Sequence, residues 1–120
     1  MGPSMKSWWM QVNGGVATLE LKESPRPQPG PTQLLVRMRA ASLNRGEFIL
    51  AHGLHSKGAG AKAVGMEAAG EVVGCGASVT QFRVGDKVLG RCPGAFAEWV
   101  LMDEREAMVM PDNLGWPEAA

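Results

Sequence analysis

The chain has 120 residues, with 12 basic and 12 acidic side chains and a formal net charge of zero; the basic residues are scattered, which excludes the electrostatic footprint of a nucleic-acid binder. Its 16 glycines and 8 prolines make one residue in five, a composition that suits a turn-rich β protein and argues against a helical bundle. The length allows one core, and the longest uncharged stretch, residues 7–19, is too short and too glycine-broken for a membrane-spanning helix.

Two cysteines, Cys75 and Cys92, exclude a disulfide-dense secreted scaffold, and no signal-peptide pattern opens the chain. Two free thiols in a reducing cytoplasm are expected. Residues 1–4, followed by the second methionine Met5, read as a cloning scar and are set aside from the fold.

In chain order, Lys6 to Val12 predicts a strand, Asn13-Gly14-Gly15 a tight turn, and Val16 to Lys22 the return strand of a hairpin. Four prolines between Pro25 and Pro31 predict an extended surface connection. Gln33 to Ala41 alternates, with Leu34, Val36, Met38 and Ala40 on one face, and predicts a half-buried strand. A short helix is expected from about Arg45, capped by Ser42 or Asn44 and stopped near Gly53. Residues 55–63 read as a glycine-rich loop, and Gly65 to Cys75 as a long strand bent by recurrent glycines. Phe82 to Val88 predicts a Gly-Asp turn between two short strands. Ala95 to Met102 and Glu106 to Met110 predict two more, and a turn at 111–115 leads to a helix beginning at Trp116-Pro117-Glu118. Seven or eight short strands with few helices imply a mainly β fold closed, or nearly closed, into a barrel.

Five blocks stand in a specific order: Ala40-Ala41-Ser42-Leu43-Asn44, then Gly65 to Val73, then Val84-Gly85-Asp86-Lys87-Val88, then Gly94 to Val100, then Met110 to Leu114 with Glu118-Ala119-Ala120. In this order they resemble the N-terminal, GroES-like catalytic domain of the medium-chain dehydrogenase/reductases, on the side of the zinc-independent quinone oxidoreductases. The resemblance implies a GroES-like, partly closed β-barrel with one or two short helices over residues 5–115. Residues 116–120 would then start a linking helix to a Rossmann domain that is missing here; neither glycine-rich stretch, 58–65 or 70–76, opens a helix after a strand as a phosphate-binding turn must.

In the zinc alcohol dehydrogenases that the blocks resemble, a cysteine stands at the position of Asn44 and a histidine at that of Met66. An amide and a thioether are poor zinc ligands, and the four-cysteine structural lobe has only Cys92 in its place, so no metal is expected. The resemblance makes Asn44, Glu47, His52 and Glu67 the catalytic candidates, and Asn44, Arg45 and Met66 the cofactor-facing ones. Asn44 also suits a helix N-cap, Glu47 the first turn of that helix, and Glu67 a buried acid held by its neighbours. Histidine is the one side chain whose unperturbed pKa, about 6.5, lies near neutrality, which makes His52 and His55 the proton-transfer candidates. A reactive Cys92 would need a basic neighbour such as Arg91 to lower its pKa.

The implied activity is hydride transfer between NADPH or NADH and a small quinone, enone or other carbonyl compound by the full-length enzyme, with no cofactor bound and no turnover by this chain alone. The alternative is a free-standing GroES-like binding or oligomerisation module. No membrane or nucleic-acid partner is expected. Apolar Leu114, Trp116 and Phe48, stripped of a partner domain, are expected to drive self-association.

Overall fold

A computed structural model of the chain describes residues 3–44 and 61–120. Its strands are β1 (Ser4–Asn13), β2 (Val16–Pro25), β3 (Gln33–Ala41), β4 (Lys62–Ala63), β5 (Glu67–Cys75), β6 (Lys87–Arg91), β7 (Trp99–Asp103) and β8 (Ala107–Val109), followed by one helical turn, α1 (Trp116–Ala119). They form a three-stranded sheet, β2-β1-β4, and a five-stranded sheet, β7-β3-β5-β6-β8, that curls into a half-barrel. This is the mainly β, GroES-like fold. The helix expected near Arg45 lies outside the described residues, and among those described no helix is long and apolar enough to cross a membrane.

The hairpin forms because Gly14 and Gly15 both take positive φ, 57° and 80°, as the tightest hairpin turn demands. Its strands run longer than the apolar pattern suggested, with Ser4 opposite Pro25 and the Arg26 amide donating to the Pro3 carbonyl at 2.9 Å. Ser4, set aside on sequence grounds, therefore opens β1. The proline-rich connector behaves as expected and is tied down at one end, where the Arg26 guanidinium stacks 3.7 Å from the Trp99 ring centroid.

The alternation in β3 does what its pattern requires. Leu34 and Val36 are fully buried among Ala68, Val72, Val88, Val100 and Met102, and Met38 packs against that cluster. β3 is flanked on both sides, antiparallel to β5 and to β7, so its central place in the sheet follows from having an apolar row to bury.

Two expectations change. Residues 82–84 are not a strand: Phe82 packs against the core, and the Asp86 carboxylate accepts the Arg83 amide at 3.0 Å, closing the turn directly onto β6. The strand expected from Ala95 starts only at Trp99, because residues 95–98 divide their hydrogen bonds between the sheets. The Phe96 carbonyl accepts from Trp8 of β1 at 2.8 Å while its amide donates to Val64 at 2.9 Å; the Glu98 amide donates to Lys6 at 3.1 Å while its carbonyl accepts from Met38 of β3 at 2.9 Å.

Gly65 is built into this junction. It has φ 107°, and a Cβ there would lie 2.7 Å from the Phe96 nitrogen and 2.8 Å from that of Ala95. Gly65→Ala is expected to lower stability by about 2–4 kcal/mol, from backbone strain and overpacking together, as a shift in the urea midpoint. An unchanged midpoint would show that the junction yields.

Candidate functional site

The end of β3 and the start of β5 lie side by side, with Ala41 opposite Ala68. This register brings the segment Ser42–Asn44, which leaves β3, next to Met66 and Glu67, which lead into β5. The Ser42 hydroxyl donates to Glu67 Oε2 at 3.2 Å. Glu67 is exposed and sits opposite Arg91 of β6, while the Met66 carbonyl accepts the Cys92 amide at 2.7 Å. Asn44 follows two residues after Ser42; it is half-buried, and its amide nitrogen is shielded from solvent.

The fold thus brings the segments that carry Asn44, Met66 and Glu67 to one end of the half-barrel. Arg45, Glu47, His52 and His55 lie outside the described residues. Ser42, weighed on sequence grounds only as a helix cap, is the missed member. The two blocks that hold Ser42 and Glu67 stand in the sequence, but only the strand register sets them against each other.

Met66 is a thioether and Asn44 an amide, and among the described residues no three His, Cys, Asp or Glu side chains cluster as a metal site. Cys92 touches this segment through its backbone amide, but its side chain is turned into the core. It is fully buried, its Sγ donates to the Leu101 carbonyl at 3.2 Å, and burial pushes its thiol up to about 12. The exposed Arg91 beside it does not offset that burial, so Cys92 is a packing residue. Cys75 is also a free thiol, and its pKa is raised by burial and then by the carboxylates of Asp86 and Glu104.

Residues 30–112 match the family described as the alcohol dehydrogenase GroES-like domain. The chain belongs to that family. It is 34% identical over 109 residues to a quinone oxidoreductase of Pseudomonas aeruginosa, covering 89% of this chain and 34% of that protein. It is 30% identical over 126 residues to the trans-enoyl reductase RAP2 of Pyricularia oryzae, covering 98% of this chain and 35% of the other. Among solved structures, a mycobacterial protein complexed with NADPH superposes with a TM-score of 0.84 at 26% identity, over 93% of this chain and 35% of that one. The chain thus spans about a third of the length of these relatives, and corresponds to the N-terminal part of the medium-chain dehydrogenase/reductase fold.

The buried thiol gives a direct check on this GroES-like core. At pH 8, iodoacetamide is expected to leave Cys92 unmodified in the native chain and to modify it in urea, read by peptide mass mapping. Because folding raises the Cys92 pKa from about 9 to about 12, the unfolded chain loses this proton first. The thiol's contribution to stability is therefore complete below pH 9 and is lost as the pH climbs from there toward 12. Rapid native alkylation at pH 8 would contradict the burial.

Proposed function

We propose that this GroES-like domain is the substrate-side half of an NAD(P)H-dependent, zinc-independent oxidoreductase that reduces quinones or conjugated carbonyl compounds. The observation that carries this reading is the donor set at the mouth of β3 and β5, where Asn44, Met66 and the Ser42–Glu67 pair supply amide, thioether, hydroxyl and carboxylate. The similarity to a quinone oxidoreductase, a trans-enoyl reductase and an NADPH complex supports it. No turnover is proposed for this chain by itself.

When bound by a companion Rossmann domain, the nicotinamide supplies the hydride. This chain's part is to orient and polarise. Asn44 is proposed to line the side of the site that meets nicotinamide and substrate, with Arg45 and Met66 beside the cofactor face and His52 or solvent returning the proton. Glu47 is proposed to orient Asn44. Glu67 holds the Ser42 hydroxyl in one direction, so the rim of the cleft presents a fixed dipole there. The same donor set argues against zinc. An amide and a thioether do not replace a thiolate and an imidazole as ligands of a catalytic zinc, so no step needs to run through a metal. A reducing cytoplasm is the proposed setting.

In the full-length enzyme, Asn44→Ala is expected to lower kcat/KM by roughly 10–100-fold, through loss of the side chain that positions the reactants. Elemental analysis is expected to find less than one zinc per chain, and prolonged chelation should leave turnover unchanged. One tightly held zinc whose removal abolishes turnover would overturn the metal-free reading.

A further inference from the structure

The β1–β2 hairpin stands with solvent on both faces of its outer strand. β2 is the terminal strand of its sheet and, at ten residues, the longest edge among the described strands; the other edges, β4, β7 and β8, have two, five and three. Every residue of β2 is at least partly exposed. Leu19 and Leu21 are 62% and 47% exposed on one face, with Trp8 of β1 opposite Leu21 and itself 42% exposed. On the other face Glu20 and Lys22 form an exposed ion pair at 3.7 Å.

The backbone sets which residues can pair outward. Asn13 and Val16 flank the two-residue turn, so they exchange hydrogen bonds with each other, and the pattern alternates from there. Thr18, Glu20 and Lys22 consequently spend their amides and carbonyls on β1, whereas Ala17, Leu19, Leu21 and Glu23 aim theirs at the open edge. An unpaired row of this length is a template for another strand.

We propose that β2 pairs antiparallel with β2 of a second copy of this chain across a two-fold axis at Leu21. In this register Leu21 exchanges both backbone bonds with Leu21 of the second copy, and Leu19 does so with Glu23. Side-chain charge selects the register. Glu20 lies opposite Lys22 of the second copy and Lys22 opposite its Glu20, so the existing ion pair becomes a ring of four alternating charges. A two-fold at Glu20 would instead set two glutamates face to face, which is unfavourable, and one at Leu19 would leave Lys22 opposite Val16. On the reverse face the two Leu21 side chains meet, each backed by its own Trp8, and the apolar band becomes continuous across a joined sheet. Of the residues expected to drive self-association, Leu114 and Trp116 are half-buried and Phe48 lies outside the described residues.

Sedimentation velocity over rising concentration tests this with the whole chain. The parent is expected to dimerise. Glu20→Lys sets lysines against lysines, and Lys22→Glu sets glutamates against glutamates, so each alone should weaken dimerisation by roughly tenfold, with circular dichroism unchanged. An equimolar mixture of the two single variants should form a heterodimer, since every cross-strand pair is then opposite in sign, and the double swap E20K/K22E should dimerise like the parent. A parent that stays monomeric at high concentration, single variants that dimerise as the parent does, or a mixture that forms no heterodimer would each overturn the proposal.

Discussion

Four residues, Ala95 to Glu98, hold this fold together by declining to be a strand. Each sheet alone would leave one face of its apolar row in water, and neither has the strand count to close on itself. The segment solves this by alternating partners. Phe96 faces β1 with its carbonyl and the approach to β5 with its amide, and Glu98 reaches β1 and β3 in the same way, adding a bond from the Lys6 amide to its own carboxylate at 2.7 Å. The cost is a stretch without regular pairing. The gain is that the three-stranded sheet is fastened by directional bonds to the five-stranded one, beside the buried Ala95 and Val100.

The segment that leads into β5 inherits its geometry from that junction. Gly65 presses against residues 95 and 96, and the residues that follow it, Met66 and Glu67, are thereby fixed at the mouth of β5. The Met66 carbonyl is held by the Cys92 amide, so neither end of this short segment is loose. Across the sheet, the β3 register delivers Ser42 to Glu67. The proposed site is made of amide, hydroxyl and carboxylate groups on rigid elements, and this is the basis for proposing that it orients a reactant without ligating a metal.

Much of this was legible in the sequence where a local rule decides the outcome. The alternation of Leu34, Val36 and Met38 marked the central strand, two glycines marked the hairpin turn, and proline at the start of α1 marked a helix beginning. What could not be read locally depended on partners distant in the chain. Ala95 to Glu98 looks strand-like because its residues suit extended backbone; only the presence of two sheets shows that it cannot belong wholly to either. Phe82 was misplaced for a similar reason, since an aromatic residue beside a Gly-Asp turn reads as strand until the core it fills is known. The Ser42–Glu67 bond is legible only after the register is known, whereas Asn44, Met66 and Glu67 were singled out as candidates through motif order alone.

The indole of Trp116 is gripped rather than merely covered. Arg39 of β3 stands 5.6 Å from its ring centroid and Lys87 of β6 5.7 Å, with Glu71 of the intervening β5 within 4.0 Å of Arg39. Three neighbouring strands thus contribute charges around one aromatic plane, and α1 takes its heading from them. The ring therefore ties the end of the chain to the middle of the five-stranded sheet through charge–aromatic contacts from two of its strands.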